Sequence, residues 1–219
     1  MTGNGRKKKK GMEKIMGILE GKVLKVKVTF TEEVLGTASN NPEIHEEFIA
    51  SKAPDVKSLE EEVAAVGTEE VFEKGMTVFP RDKEGRPIAW DYQWKGFFKD
   101  ACGMLRKVSG SECSKIKAYK KEIDGLIFPE PRAIPFELGE QKMAICQRPL
   151  RGQTAQGERV ALASSESIPA GATMTFDIRM LAVHKNAVLE MLDYGRLRGF
   201  GQWRNSGKGR FTYEILEER

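Results

Sequence analysis

The stretch from Asp193 to Phe211 combines glycines, cations and an aromatic residue more densely than any other part of the sequence. Glycine lets a backbone adopt positive φ and approach another molecule closely. Cations interleaved with an aromatic side chain suit a phosphodiester backbone with exposed bases. This composition predicts a glycine-rich loop that binds single-stranded nucleic acid through Arg196, Arg198, Gly199, Gly201, Trp203, Arg204, Gly207, Lys208, Gly209 and Arg210.

Each residue type in this loop has its own predicted role. Glycine N–H groups approach phosphates, and the arginines and Lys208 neutralise them, which makes the affinity salt-dependent. Trp203 stacks on a base, and such a contact contributes about 1–3 kcal/mol. The alternative is a long mobile hairpin that binds nothing.

A second group of cations surrounds Gly152 and Gly157 and consists of Arg148, Arg151 and Arg159. The pattern predicts a hairpin with a flexible basic tip, beside a strand over Val160 to Ala163. These arginines either bind nucleic acid as well or are simply solvated. Lys25 and Lys27, on the outer face of the first predicted strand, form a third candidate group for which solvation is the simpler interpretation.

The residues give little support for catalysis. The two histidines are His45, in a glutamate-rich segment, and His184, before a predicted helix. The sequence contains no P-loop, HExxH or nucleophile motif. We therefore predict a protein without cofactor or metal and favour a non-catalytic role, with a histidine-dependent nuclease as the alternative.

Composition limits the class of protein only broadly. The 219 residues carry a net charge of +4, which is weak evidence for a polyanionic partner. Three cysteines without CxxC spacing argue against a disulfide framework or a zinc site. Since no apolar run is long enough to span a membrane and no signal peptide is recognisable, we expect a cytoplasmic protein.

The periodicity of apolar residues predicts the elements that hold these candidate residues. Strict alternation predicts strands over Lys22 to Phe30 and Thr173 to Met180, and a last strand that begins at Phe211. A helical pattern covers His184 to Tyr194. A stronger one, which we expect to face the core, comprises Trp94, Phe97, Phe98, Ala101, Met104, Leu105 and Val108.

This order of elements predicts the fold class. It is α+β, with a ferredoxin-like or RRM-like antiparallel sheet that carries its helices on one face. An acidic helical insertion is expected at about residues 41–75. Residues 1–14 are expected to form a basic disordered arm, and residues 15–219 a single domain.

Three stretches, in this order, resemble the RAMP superfamily, the ferredoxin-like RNA-binding subunits of CRISPR effectors. The first is GRPIAWDYQWKGFFKDACGML, Gly85 to Leu105, and resembles that family's strand, turn and aromatic-led helix. The second, SESIPAGATMTFDIRML from Ser165 to Leu181, resembles a long strand preceded by proline and glycine. The third, LDYGRLRGFGQWRNSGKGRFTYEI from Leu192 to Ile215, is similar to the family's glycine-rich loop.

The resemblance implies a subunit that holds RNA with its glycine-rich loop and assembles with copies of itself or related subunits along the strand. RNA is the first expectation and single-stranded DNA the second. A metal-independent endoribonuclease of the same superfamily is one alternative. Another is a phage- or defence-related interaction protein that keeps only the fold. We recognise no counterpart in the family for the acidic region from Gly36 to Met76, and a divergent relative that works outside CRISPR is a further alternative.

Overall fold

The structure is a computed structural model that describes residues 21–39, 76–154, 157–181 and 184–219, with only the backbone at 150–154 and 157–162. Its strands are β1 (Lys22–Phe30), β2 (Val34–Leu35), β3 (Ala38–Ser39), β4 (Thr77–Val78), β5 (Ile88–Trp90), β6 (Ile127–Glu130), β7 (Ala133–Pro135), β8 (Ala144–Thr154), β9 (Gly157–Ile168), β10 (Thr173–Met180) and β11 (Phe211–Glu218). Its α-helices are α1 (Asp91–Leu105), α2 (Tyr119–Leu126) and α3 (Lys185–Arg198), and two 3-10 helices cover Glu112–Lys115 and Arg204–Ser206.

The central sheet has four strands in the order β11-β1-β10-β6, and every neighbouring pair is antiparallel. The helix α1 lies in the chain between β1 and β6, and α3 lies between β10 and β11. This is the βαββαβ order of a ferredoxin-like fold. The predicted fold class is therefore confirmed by the strand order itself.

Alternation along β1 and β10 explains why the sheet has one covered face. Leu24, Val26 and Val28 are fully buried, whereas Lys25 and Lys27 between them are half-buried on the other face. The same alternation runs from Thr173 to Met180. The buried rows pack under the helices, so the predicted bounds and faces of these two strands are confirmed.

A cluster of aromatic rings joins the helices to the sheet. The ring of Trp94, on α1, lies 4.6 Å from that of Phe176 on β10 and 5.5 Å from that of Phe211 on β11. Phe200, which follows α3, stacks on Trp94 at 4.5 Å. The end of α3 and the start of β11 are thus fixed to the core by their own aromatic residues.

A second sheet extends from this core. It contains β2, β9, β4 and β3 in that order, with β8 paired to β9. The hairpin β8–β9 runs in register from Ala144 opposite Ser167 to Thr154 opposite Gly157. The predicted hairpin is confirmed, and both of its strands are longer than the sequence indicated.

Two predictions about the helices are corrected, and one helix was not predicted. Helix α1 ends at Leu105, so Val108 lies beyond it and is 55% exposed rather than part of the core. Met104, in the last turn of this helix, is 43% exposed. Helix α2 was not predicted, because it has eight residues and Ile123 is its one buried residue. Helix α3 runs on to Arg198, which places Arg196 and Arg198 in its last turn rather than in the loop.

The predicted arm at 1–14 and the acidic insertion at about 41–75 lie outside the described residues. Within the described part of the chain, no helix is both long and apolar enough to cross a bilayer.

Candidate nucleic-acid interface

The glycine-rich loop connects the end of α3 to the start of β11 and is closed by contacts between its own ends. The N–H of Phe200 donates to the carbonyl of Gly209 at 2.8 Å. A Cβ on Gly209 would lie 1.8 Å from the carbonyl oxygen of Phe200, and one on Gly199 would lie 2.3 Å from that of Lys208. Both glycines also have positive φ, which side chains rarely adopt. Glycine is required here because two backbone segments touch.

The N–H groups of these glycines are used mainly inside the protein. Those of Gly199, Gly207 and Gly209 donate to the carbonyls of Gly195, Arg204 and Glu33, respectively. The prediction that they approach phosphates is corrected for these three residues, because closing the loop already uses their hydrogen bonds.

Two arginines of the loop region share one carboxylate on α1. Nε of Arg198 lies 2.9 Å from Oδ2 of Asp100, and Nη1 of Arg204 lies 3.0 Å from the same oxygen. Arg198 also donates to Asn205 Oδ1 at 2.6 Å. Since one negative charge meets two positive charges, the cluster keeps a net charge of +1.

Lys208 is held by Glu33, which follows β1. The ammonium group donates to Oε1 of this carboxylate, and the hydroxyl of Ser167 on β9 donates to Oε2. The hydrogen bond from Lys208, and then that from Ser167, keeps the pKa of Glu33 below its ordinary value of 4.5. Conversely, the hydrogen bond to Glu33 raises the pKa of Lys208 above 10.5. The pair ties the loop to the beginning of the second sheet.

The two remaining cations of the predicted set are more exposed. Arg196 pairs with Asp193 one helical turn earlier, at 2.6 Å. Arg210 is exposed, and no carboxylate of the described residues lies within ion-pair distance of it. It is the cation of the loop with the fewest competing contacts in this part of the chain.

Trp203 lies at the outer side of the loop in an unusual backbone conformation. Its φ is 53°, in the left-handed region, although it is not a glycine. Its side chain remains 41% exposed. A bulky residue in this region is uncommon and indicates local strain.

Arg148 of β8 packs against one face of the Trp203 ring. Its guanidinium carbon lies 5.0 Å from the centroid of the indole ring, and the residue is only 8% exposed. Nη2 donates to Oε1 of Gln202 at 3.0 Å, while the amide of Gln202 donates to the carbonyl of Gly36 at 2.8 Å. The structure thus brings together two predicted groups that are distant in sequence.

The other two arginines of the hairpin are placed by their backbone alone. Arg151 pairs with Val160, and Arg159 pairs with Gly152. Both lie farther along the hairpin than Arg148.

His184 is not part of this interface. His184 precedes α3, at the opposite end of that helix, and its Nε2 lies 2.9 Å from Oε2 of Glu122. His45 lies outside the described residues. In the part of the chain that the structure describes, no group of three or more His, Cys, Asp or Glu side chains could hold a metal ion.

Sequence reasoning missed Asp100, Glu33 and Gln202. Asp100 is 98 positions from Arg198, and Glu33 is 175 positions from Lys208. Gln202 lies within the loop, but its side chain is uncharged, so a search for charged residues does not identify it. Only the fold reveals that these residues hold the predicted cations, so no local signal could have identified them.

Fold and site together define an α+β protein of ferredoxin-like topology with a closed, cation-rich glycine loop after its second main helix. No protein-family model matches the chain, and neither does any curated protein. A solved structure similar to it is a chain from "Cryo-EM structure of the Type III-B Cmr-beta bound to cognate target RNA". The similarity has a TM-score of 0.48 at 14% identity and covers all of this chain and 67% of that one. The fold class follows from the strand order and not from this likeness.

Proposed function

We propose that this chain is a non-catalytic subunit that binds single-stranded nucleic acid, RNA first and DNA second, through its glycine-rich loop and the adjoining part of the β8–β9 hairpin. The proposed contacts are the cations of the predicted set, with Trp203 as the base-stacking residue and the glycines shaping the backbone that presents them. We further propose that it is a RAMP-like, cytoplasmic protein and assembles with other copies or related subunits along the strand.

One observation carries this proposal: Trp203 is held half in solvent at positive φ, with a cation beneath its ring. Such a conformation costs about 1–3 kcal/mol and persists where the surroundings enforce it. Since Arg148 covers one face of the indole, a base would stack on the other. The nearby guanidinium also favours the negative charge of the phosphates on either side of that base.

The cations of the loop can change partners when a strand binds. Arg198 and Arg204 share one carboxylate, so their cluster has one negative charge for two positive charges. A phosphate that approaches either arginine supplies the second negative charge. Arg210 is exposed and ready for contact. Phosphate contacts of this kind give an affinity that falls steadily with salt.

Substitution of Trp203 by glycine separates binding from folding, because glycine accepts φ of 53° without strain. We expect the stability of Trp203→Gly to be equal to or above that of the wild type. Its affinity for a labelled single-stranded RNA, measured by fluorescence anisotropy, should fall by about 1–3 kcal/mol, or roughly five- to 150-fold. Leu197→Ala, which removes a 69% exposed apolar side chain at the end of α3, is the matched control.

The combined variant Arg198→Ala, Arg204→Ala, Lys208→Ala should weaken binding and flatten its salt dependence. The proposal fails if Trp203→Gly binds as well as the wild type and the triple variant keeps the wild-type salt slope. Repeating the titrations with single-stranded DNA of the same sequence shows which of the two nucleic acids binds with higher affinity.

The same incubations test the endoribonuclease alternative. The contact of His184 with Glu122 would orient the imidazole as a general base. Cleavage of the RNA in EDTA that disappears in His184→Asn would favour this activity over simple binding. If no oligonucleotide binds at all, the interaction-protein alternative gains support.

A further inference from the structure

A cavity of about 470 Å³ opens at the N-terminal end of α3, away from the glycine-rich loop. Three separate elements line it: the start of β1, the 3-10 helix Glu112–Lys115 and the first turn of α3. Its basic lining residues are Lys22, Lys115, His184 and Lys185. The fold therefore gathers into one place cations that lie far apart in the sequence.

The walls of this cavity carry more positive than negative charge. Glu112 is the one carboxylate among the lining residues, and it lies 2.5 Å from the ammonium of Lys115. Glu218, at the end of β11, lies 2.5 Å from the ammonium of Lys185 and 3.9 Å from that of Lys22. These glutamates are partly exposed, so an incoming anion can compete with them.

The lysines are also accessible. The side chain of Lys22 is 62% exposed and that of Lys115 is 67% exposed. Lys185 is 32% exposed, and His184 is 20% exposed and faces Glu122. A ligand can therefore reach the ammonium groups without rearrangement of the backbone.

The helix that begins here adds to the preference for an anion. The first N–H groups of any α-helix lack partners within the helix. His184 precedes α3 but provides no side-chain cap, and the first turn contains no acidic residue. A phosphate in the cavity would meet these N–H groups as well as the lysines.

We infer that this cavity binds a phosphate group. Its volume is within the range of small-ligand sites, which is about 300–1,000 Å³. Lysine ammonium groups bind phosphate as point charges, and several from different directions suit an anion of one or two charges. In a bound strand, this phosphate is either a terminal monoester or an internal diester. The assignment of the site to a strand therefore rests on the proposed function, whereas the binding of phosphate itself does not.

Inorganic phosphate tests the site without any nucleic acid. Calorimetric titration of the full chain, at constant ionic strength in chloride, should show binding that Lys22→Ala, Lys185→Ala weakens about tenfold or more. Lys83→Ala, which removes one charge from an exposed turn, should bind as the wild type does. Glu218→Gln should bind more tightly, because it releases both lysines. If the double variant does not fold, Lys115→Gln takes its place, since this side chain is mostly exposed.

Equal phosphate binding by the wild type and the cavity variants would overturn the inference, as would an equal loss in Lys83→Ala. RNAs of one sequence with a 5′-phosphate or a 5′-hydroxyl then distinguish the sources. A terminal phosphate predicts tighter binding of the phosphorylated RNA and loss of that gain in the double variant. An internal phosphate predicts that the variant weakens both RNAs alike.

If the double variant binds both the 5′-phosphate RNA and the 5′-hydroxyl RNA with wild-type affinity, the strand does not supply a phosphate to this site. The failure of the proposed function looks different. In that case Trp203→Gly leaves RNA binding unchanged, whatever the cavity does with inorganic phosphate.

Discussion

The two ends of α3 use positive charge in different ways. At its C-terminal end, the cations are close together in sequence, and carboxylates on other elements hold them. The side chains of Arg198, Arg204 and Lys208 are only 28%, 29% and 22% exposed. At its N-terminal end, the cations come from three elements, and Lys22 and Lys115 are mostly exposed.

This difference shows that a dense run of cations is not a measure of available charge. In the glycine-rich loop, Asp100 and Glu33 use much of the charge to fix the shape of the backbone. That shape presents Trp203 and Arg210. At the cavity, the shape comes from β1 and the helices, and the side chains of Lys22 and Lys115 stay mostly exposed although Glu218 and Glu112 lie beside them. We therefore regard the loop as a shaped surface and the cavity as a charged one.

The largest effect is expected where the shape of the loop is broken. Gly209→Ala places a methyl group 1.8 Å from the carbonyl oxygen of Phe200. Since that oxygen belongs to backbone anchored in the core, we expect a loss of about 3 kcal/mol in the free energy of unfolding, measured with urea.

Gly139→Ala is the control for this substitution. Gly139 also has positive φ, at 61°, but its Cβ would meet nothing within 4 Å. It should therefore cost only the strain of the left-handed backbone, about 1–2 kcal/mol. Equal losses in the two variants would contradict the view that the loop is closed by backbone contact.

The next largest effect is expected at Arg198 and Arg204, the two cations that Asp100 holds. Asp100→Asn releases Arg198 and Arg204 while it keeps the size of the side chain. We expect stability to fall by about 1 kcal/mol, while affinity for single-stranded RNA rises and its salt slope steepens by about 0.7 for each cation that gains a phosphate.

Glu84→Gln provides the same change of charge at a side chain that is 66% exposed in the turn before β5. It should leave the salt slope as it is. Weaker RNA binding by Asp100→Asn would contradict this expectation and would mean that the bound conformation requires the Asp100 carboxylate.

A smaller effect is expected from pH at the Glu33–Lys208 pair. Because the pKa of Glu33 is lowered in the folded state, its contribution is present above 4.5 and is lost as pH falls through the folded value. Because the pKa of Lys208 is raised, its contribution is present below 10.5 and is lost as pH rises beyond that. The pair should stabilise the fold by about 1 kcal/mol between these limits.

The measurement compares urea unfolding of the wild type and Glu33→Gln across this range. Their difference in the free energy of unfolding should be constant near neutral pH and shrink below 4.5. A difference that grows on acidification would have the wrong sign for a carboxylate whose pKa is lowered.

Much of the fold could be predicted from the sequence, because its strands alternate cleanly. The strands Lys22–Phe30 and Thr173–Met180 were predicted with the correct bounds, since each buries every second side chain. The pairing of β1 between β10 and β11 followed from the order of elements. Helix α2 could not be predicted, because Ile123 is its one buried residue.

The candidate site could be predicted only in part, and for a physical reason. Arg204 and Trp203 are conspicuous by type and by their glycine neighbours. Whether such a cation is free depends on Asp100, which α1 places beside the loop. A contact between residues more than a hundred positions apart leaves no local pattern. The cavity at the other end of α3 was missed for the same reason.

The smallest expected effect is the most direct test of whether the two ends of α3 are separate sites. Fourteen residues of helix separate them by about 21 Å. Substitutions this far apart, with no shared partners, should add within about 0.3–0.5 kcal/mol. Trp203→Gly combined with Lys185→Ala should therefore weaken binding of a long RNA by the sum of the two single losses. A dinucleotide cannot reach both ends, so Lys185→Ala should not weaken its binding at the loop. A large coupling energy with the long RNA, or a loss with the dinucleotide, would mean that Lys185 acts through the fold of α3 rather than through a second contact with the strand.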